Sequence, residues 1–346
     1  MSLSEVSSPF SCTAHAAFDA ASLSPLAHRD VFSKRIALRY SGEHEVSIAY
    51  EWQGNPNAPV IIIAGGISAN RHVSLSTEYP ERGWWEAQVG PGRAIDTNRF
   101  RILAINWLGH DGNLDVAIDS ADQADAIAAT LDHLNIKTAA AFIGCSYGAM
   151  VGLQFSARHG ARIEKLIAIS GADSAHPYSS AWRALQRNIV RLSRSSENEN
   201  AALSIARQLA MLSYRTPEEF ATRFATPVQL ENDIARSPAE NYLEVCGNKY
   251  AAITNTTAFL RLSESIDLHQ VNADDINTDT TLVAIEQDRL VPVETLAALN
   301  EKLGNRCRLK RIDSLFGHDA FLVESQQIAE ILSDALLETA TLGVAA

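Results

Sequence analysis

The chain of 346 residues has few cysteines, few methionines and few aromatic side chains. Its four cysteines show neither paired spacing nor a C-x-x-C motif, so a disulfide framework or a zinc site is not expected. Free cysteines favour a reducing compartment, and we therefore expect a cytoplasmic protein without a metal. The four positions are Cys12, Cys145, Cys246 and Cys307.

Positive charge and long apolar runs are also lacking. The formal net charge of −12 argues against nucleic-acid binding, which needs a basic surface, although a local basic pocket for a small anion remains compatible with it. No run approaches 18 apolar residues, so no membrane span is predicted. Residues 1–30 lack a basic segment followed by an apolar one, and we interpret them as a surface tail and not as a signal peptide.

Short β-branched runs alternate with amphipathic segments through the first half of the chain. The continuous apolar runs are typical of strands buried on both faces, and the segment at 32–52 alternates like an antiparallel hairpin. This rhythm predicts an α/β fold whose central sheet is mostly parallel and covered by helices. The predicted strands are 60–66, 101–107, 138–144, 165–171, 280–288 and 307–314, and helices are predicted at 120–136, 147–160 and 320–338, the first capped by Ser120.

A string of helical segments interrupts the α/β rhythm after Gly171. We therefore predict an N-terminal tail at 1–30, an α/β core formed by 31–175 and 270–346, and a helical insertion at 176–269.

The segment Gly144-Cys145-Ser146-Tyr147-Gly148 fits the pattern G-x-S-x-G. The pentapeptide alone is weak evidence, but here it ends a predicted buried strand and opens a helix, as a nucleophile elbow requires. Ser146 is therefore the predicted nucleophile. The alternative is an ordinary turn in which Ser146 caps the following helix.

A serine nucleophile needs a base and an acid that orients the base, and in this architecture both follow the serine, each beyond a strand. Asp288 and His318 meet this order. Glu286 is a rival acid but falls inside its strand, and His269 is a rival base but lies at the edge of the insertion. An oxyanion hole should use the backbone N–H groups of Tyr147 and of Ile67.

Several segments resemble the homoserine O-acyltransferases of the α/β-hydrolase superfamily. They are GGISANRHV, GWWEAQVGPGRAIDTNRF, GCSYGAMVGLQ, the pair Gln186-Arg187, LSYRTPEEFATRF and FGHDAFLVE, and the likeness runs from about residue 45 to the C-terminus. The resemblance implies an α/β-hydrolase fold in which the helical insertion is a lid that also builds a homodimer. We expect the tryptophans of the GWWEAQVGPGRAIDTNRF segment to be packing residues.

The chemistry implied by the resemblance is acyl transfer from acyl-CoA, a co-substrate, to the hydroxyl of homoserine through an acylated Ser146, without a cofactor. The resemblance places Arg215 near the substrate carboxylate and Asp319 near the substrate ammonium. A guanidinium and a carboxylate suit the two charged groups of an amino acid. From the residues alone, Arg215 would be a solvated charge at a helix end and Asp319 a helix cap.

The sequence departs from typical members of this family in three places. The stretch between LGHDG and residue 120 is short, the elbow continues Gly-Ala instead of Gly-Gly, and the first loop reads GISANRHV instead of LTGDSHV. The last change introduces Arg71, which could pair with the carboxylate of a succinyl group, so we expect succinyl-CoA over acetyl-CoA. A surface position or a contact with a CoA phosphate is the alternative for Arg71.

Serine remains open as an acceptor, because it differs from homoserine by one methylene, worth about 1–3 kcal/mol. Two further functions stay compatible with the sequence, namely an esterase and a catalytically silent binding protein.

Overall fold

A computed structural model describes residues 23, 24, 26–193 and 198–340. Most of the predicted tail at 1–30 lies outside these residues.

Eight strands form one sheet in the order β1-β2-β4-β3-β5-β6-β9-β10. The pairs β1/β2 and β2/β4 are antiparallel and the remaining pairs are parallel, which confirms the predicted hairpin and the mostly parallel sheet. The strands are β1 (Ala27–Leu38), β2 (Gly42–Gly54), β3 (Val60–Ala64), β4 (Arg101–Ile105), β5 (Ala141–Cys145), β6 (Lys165–Ile169), β7 (Gln229–Glu231), β8 (Ile234–Arg236), β9 (Asp279–Ile285) and β10 (Cys307–Ile312), of which β7 and β8 pair only with each other.

Ten α-helices accompany the strands in the described residues. They are α1 (Ser120–His133), α2 (Tyr147–His159), α3 (Pro177–Leu192), α4 (Glu199–Tyr214), α5 (Pro217–Arg223), α6 (Pro238–Ala251), α7 (Thr256–Asp267), α8 (Val293–Leu303), α9 (Ala320–Val323) and α10 (Ser325–Ala340) within the described part of the chain.

The core lies in two layers, one on each face of the sheet. In β3, Ile62 and Ala64 join one buried cluster while Ile61 and Ile63 join the other, as expected where successive side chains of a strand point to opposite faces. The first cluster includes residues of α1 and α2, and the second includes residues of α9 and α10. Both faces are therefore covered at the centre of the sheet, which explains why β3, β5 and β6 are buried along their whole length.

Helices α3 to α7 and the β7/β8 hairpin lie between β6 and β9. In the described residues 177–193 and 198–267, none of these elements joins the large sheet, and some share a separate apolar cluster. Its members are Val190, Leu203, Ala206, Ala251, Phe259 and Leu260. The boundaries 176–269 and the role of this segment as a lid stay predictions.

Some predicted elements differ from the structure. Asp119, not Ser120, caps α1, because its carboxylate accepts hydrogen bonds from the N–H groups of Ala121 and Asp122. The helix predicted at 320–338 is broken at Glu324 into α9 and α10, and neither α8 nor the β7/β8 hairpin was predicted.

The described residues contain no helix long and apolar enough to cross a membrane. Nor do they contain a group of three or more His, Cys, Asp or Glu side chains placed to hold a metal ion.

Candidate active site

Ser146 stands on a sharp turn between β5 and α2. Its backbone has φ 54° and ψ −117°, a strained conformation for a residue with a side chain. The turn is tight because the neighbours are glycines: a Cβ on Gly144 would lie 2.2 Å from the Gly148 carbonyl oxygen, and one on Gly148 would lie 2.0 Å from that of Ala64. The predicted strand-to-helix elbow is therefore present, and it holds the Ser146 hydroxyl at the carboxyl edge of the sheet.

Asp288 and His318 meet Ser146 at this edge. His318 Nε2 lies 2.7 Å from Ser146 Oγ, and His318 Nδ1 lies 2.7 Å from Asp288 Oδ2. Because a carboxylate can only accept, Nδ1 carries the proton and Nε2 is free to accept from the serine hydroxyl. The other oxygen of Asp288 accepts from the N–H groups of Leu290 and Val291, at 2.8 and 3.0 Å, which fixes the acid in place.

The environment of His318 favours a base that can become charged. Burial alone would lower its pKa, but the charge and hydrogen bond of Asp288 and the charge of Asp319 oppose this, and the pKa of His318 is raised. The imidazolium that would form when Ser146 gives up its proton is thus stabilised.

The loop that carries His318 is held from two sides. Gly317, with φ 58°, has no room for a side chain, because a Cβ there would lie 2.8 Å from the carbonyl oxygen of Tyr214. On the other side, the indole N–H of Trp85 donates to the Phe321 carbonyl at 3.0 Å. Trp85 is 2% exposed and belongs to the core, which confirms the predicted packing role for this tryptophan.

The loop after β3 lies next to the elbow. The Gly148 N–H donates to the Gly65 carbonyl at 2.9 Å, and the Trp107 indole N–H donates to the Gly66 carbonyl at 3.1 Å. A Cβ on Gly66 would lie 3.9 Å from the Cβ of Ser146. Ile67 follows directly, and Tyr147 begins α2. The oxyanion role of their backbone N–H groups stays a prediction.

Arg215 and Asp319 contact each other. Arg215 Nε donates to Asp319 Oδ2 at 2.8 Å, and the side chains are 2% and 9% exposed. Asp319 follows His318 directly, so the pair borders the histidine that contacts Ser146. The resemblance places these two charges beside the neighbouring carboxylate and ammonium of an amino-acid substrate, and in the structure they form one buried ion pair.

Arg71 is held away from the elbow. Its guanidinium donates to the backbone carbonyls of Asp30 and Tyr50, at 3.2 and 3.4 Å, in β1 and β2. Strand β2 is three strand spacings from β5, roughly 14 Å, which is farther than an acyl chain on Ser146 would reach. The geometry therefore speaks against the predicted contact between Arg71 and the acyl group. Burial and the charge of Arg29 lower the pKa of Arg71.

The rival acid and base have other partners. Glu286 is exposed and lies 3.4 Å from Arg311. His269 is buried between the Ser120 hydroxyl, 2.6 Å from Nδ1, and the Ala172 carbonyl, 2.9 Å from Nε2. Burial lowers the pKa of His269 to about 4, so this histidine is neutral and structural.

Sequence reasoning missed two residues of the site, Tyr214 and Arg207. The Tyr214 ring lies 6.0 Å from the His318 ring, and the Arg207 guanidinium lies 5.3 Å from the Tyr214 ring. Residues seven apart share a helix face, and Tyr214 directly precedes Arg215, but this spacing alone does not distinguish Arg207 from a solvated arginine.

The fold and the arrangement of Ser146, His318 and Asp288 define the class: the α/β hydrolase fold family matches residues 59–325. The chain is also 50% identical, over 98% of its length and 92% of the relative's, to "Homoserine O-succinyltransferase" of Xanthomonas campestris pv. campestris. The chain belongs to the homoserine O-acyltransferase family within this superfamily.

More distant relatives share the same fold. "Serine O-succinyltransferase" of Xylella fastidiosa (strain M23) is 31% identical, over 84% of this chain and 92% of that protein. The structure of homoserine O-acetyltransferase from Bacillus anthracis aligns with TM-score 0.81 at 16% identity, covering 90% of this chain and 98% of the other. The structure of esterase E22 aligns with TM-score 0.80 at 19% identity, covering 90% and 100%. At such identities the structures support the fold alone.

Proposed function

We propose that this chain is an acyltransferase that moves a succinyl group from succinyl-CoA to the hydroxyl of L-homoserine. The observation that carries the proposal is the hydrogen-bonded chain from Ser146 through His318 to Asp288, in a protein half identical to a relative named homoserine O-succinyltransferase. The geometry supports a serine nucleophile with a histidine base, and the name of the relative supports succinyl as the acyl group and homoserine as the acceptor.

In the first half-reaction, His318 Nε2 takes the proton of the Ser146 hydroxyl as Oγ attacks the thioester carbonyl of succinyl-CoA. The carbonyl oxygen becomes negatively charged, and the N–H groups of Tyr147 and Ile67 would stabilise it, each such donor being worth about 10²–10³ in rate. The intermediate collapses, the C–S bond breaks, and the CoA sulfur leaves with the proton from His318. The product is a succinyl ester on Ser146.

In the second half-reaction, homoserine occupies the position left by CoA. His318 takes the proton from the homoserine hydroxyl, whose oxygen attacks the ester carbonyl. The bond to Ser146 breaks, and the proton returns from His318 to Oγ. One base therefore serves both halves of the reaction, which is ping-pong transfer.

Arg215 and Asp319 are proposed to hold the amino-acid end of homoserine. Their mutual contact uses Nε of the guanidinium and Oδ2 of the carboxylate. The guanidinium nitrogens and the second carboxylate oxygen can therefore receive a carboxylate and an ammonium side by side, without breaking the pair. Water has neither group, so this arrangement favours an amino acid over hydrolysis.

Serine is the second candidate acceptor, favoured by the relatives about 30% identical that are named serine O-succinyltransferase. Acetyl-CoA is the second candidate donor. Both candidates keep the same Ser146 chemistry and change only the groups that the pocket receives.

A co-substrate matrix tests the proposal. CoA release is measured with succinyl-CoA or acetyl-CoA, each with homoserine, with serine and without an acceptor. We expect the highest kcat/KM for succinyl-CoA with homoserine. Equal or faster CoA release with acetyl-CoA refutes succinyl-CoA as the preferred donor, and faster release with serine refutes homoserine as the preferred acceptor. CoA release that does not depend on either acceptor indicates a hydrolase.

We further propose that the helical insertion is a lid, that it forms a homodimer interface, and that the enzyme works in the cytoplasm. Support for an interface comes from large apolar side chains exposed on the insertion, among them Val228, Leu230 and Ile234 on and beside the β7/β8 hairpin. Sedimentation velocity tests the dimer: a purely monomeric protein at micromolar concentration contradicts it.

A further inference from the structure

Arg207 of α4 occupies an unusual setting beside the proposed active site. Its guanidinium carbon lies 5.3 Å from the centre of the Tyr214 ring and 4.9 Å from that of Tyr250. One guanidinium nitrogen lies 3.4 Å from the Ser68 hydroxyl. Two aromatic rings therefore hold a cation in a fixed orientation, with a hydroxyl at its end.

Arg207 also differs from its neighbours in having no carboxylate partner. Within residues 177–193 and 198–267, every other arginine lies within 4.0 Å of a carboxylate, whereas the contacts of Arg207 are the two rings and the hydroxyl. The paired arginines are Arg183, Arg187, Arg191, Arg215, Arg223, Arg236 and Arg261. A partly buried cation without a counter-ion is suited to receive an anionic ligand.

The charge balance around Arg207 points the same way. The carboxylates Asp319 and Glu219 each contact another arginine, Arg215 and Arg223 respectively. Burial disfavours the charge of Arg207, but Tyr214, Tyr250 and Asp319 counteract it, and its pKa is raised. The guanidinium therefore stays charged, in a protein whose net charge is −12.

The position of Arg207 relates it to the acyl chain. Ser68 is two residues beyond Gly66, which lies against Ser146, and Tyr214 stands between Arg207 and His318. In a succinyl group the terminal carboxylate carbon lies about 4 Å beyond the carbonyl carbon that Ser146 would hold, with a further ~4 Å to a guanidinium carbon that binds it. Arg207 and His318 both lie next to the Tyr214 ring, so their separation is of the same order as this length.

We propose that Arg207, with the Ser68 hydroxyl, binds the terminal carboxylate of the acyl chain and thereby selects a dicarboxylic acyl donor. The inference rests on the proposed succinyl transfer and names the residue that determines its donor. It assigns to Arg207 the role that the sequence had suggested for Arg71.

The test compares Arg207→Met with the unchanged protein on succinyl-CoA, on butyryl-CoA, whose four-carbon acyl chain has no charge, and on acetyl-CoA. We expect kcat/KM for succinyl-CoA to fall about 100-fold, the scale of losing one partner of a charged hydrogen bond, and that for the two uncharged donors to change less than about threefold. The KM for homoserine should stay the same, and Arg207→Lys, which keeps the charge, should recover part of the loss. Arg71→Met is the control and should affect the three donors alike.

Several results overturn the inference. An equal loss on all three donors assigns Arg207 to CoA binding or to folding, and a selective rise in the KM for homoserine assigns it to the acceptor. An unchanged kcat/KM of Arg207→Met for succinyl-CoA means that Arg207 does not bind the acyl carboxylate. If the proposed succinyl transfer itself is wrong, the unchanged protein will show no preference for succinyl-CoA over butyryl-CoA. This result is distinct from those that overturn the role of Arg207. If Arg207→Met does not fold, Arg207→Lys and Ser68→Ala decide, because either must lower the ratio of succinyl-CoA to butyryl-CoA activity.

Discussion

At the scale of single residues, His318 stands between a carboxylate that only accepts and a hydroxyl that must donate. Its burial would favour the neutral ring, while Asp288 favours the charged ring and raises the pKa above its usual value of about 6.5. A base with a raised pKa is protonated, and therefore inactive, over a wider acidic range. Activity is then expected to rise with pH through a midpoint above about 6.5.

Replacing Asp288 by asparagine should move that midpoint. Without the negative charge, His318 loses the cause of its raised pKa, so the midpoint of kcat/KM shifts to lower pH. The rate should also fall by about 10³- to 10⁴-fold, because an amide can hold the ring in the wrong tautomer. The measurement is the pH profile of kcat/KM from pH 5 to 9.

Glu286→Gln is the matched control for this variant, because Glu286 lies two residues away and is exposed beside Arg311. Its profile should follow that of the unchanged protein. An unmoved midpoint in Asp288→Asn, or a shift in Glu286→Gln, contradicts the assignment of the acid.

The site residues that could be predicted from the sequence are those that follow directly after a strand. Ser146, Asp288 and His318 each come just after a strand, and parallel strands place such residues at one edge. The setting of Arg71 could not be predicted, because a loop residue's sequence neighbours do not fix where a long side chain points. Arg207 was missed because a helical arginine resembles a solvated one until its aromatic neighbours are known.

At the scale of elements, the elbow requires α2 to approach β3 closely. Gly148 allows this contact, since its Cα faces the Ala64 carbonyl, and a hydrogen bond joins its N–H to Gly65. The strain at Ser146 is therefore maintained by backbone packing around it and not by the serine itself.

Gly148→Ala should separate α2 from β3. A methyl group 2.0 Å from the Ala64 oxygen cannot be accommodated without backbone movement, so we expect a loss of at least about 2 kcal/mol in the free energy of unfolding and a large loss of activity. Urea unfolding followed by circular dichroism measures the first quantity.

Gly160→Ala is the control at the other end of the same helix. Gly160 has helical backbone angles, and a methyl group there meets Thr278 only at 3.4 Å. Its stability should be unchanged or higher by up to about 1 kcal/mol. Equal destabilisation by the two variants would contradict the account of the elbow.

The elements that were not predicted had weak or misread signals. Strands β7 and β8 are three residues each, too short for their alternation to indicate a strand, and Asn232 and Asp233, both with positive φ, form their turn. Helix α8 does have buried leucines at helical spacing, namely Leu296, Leu299 and Leu303, and could have been predicted.

At the scale of the whole molecule, His269 joins the end of the helical insertion to the α/β core. It follows α7, contacts Ser120 at the start of α1, and contacts Ala172 after β6. Its folded-state pKa of about 4 is below the value of about 6.5 expected for an unfolded chain. Between these values the unfolded chain binds a proton that the folded protein does not.

Stability should therefore fall as the pH drops below about 6.5, by roughly 2 kcal/mol at pH 5 from this histidine alone. His269→Gln cannot titrate, so it should lose correspondingly less stability than the unchanged protein between pH 7.5 and 5. Urea unfolding at the two pH values measures the difference. Identical pH dependence of stability in His269→Gln and in the unchanged protein would contradict the prediction.

The central claim is that Ser146 carries the acyl group between donor and acceptor. The most direct measurement is the intact mass of the protein after incubation with succinyl-CoA without an acceptor, followed by addition of homoserine. We predict the added mass of one succinyl group, located on the peptide that contains Ser146, lost when homoserine is added and absent in Ser146→Ala. Transfer to homoserine by Ser146→Ala at an undiminished rate, or a succinyl group on another residue, would contradict the account.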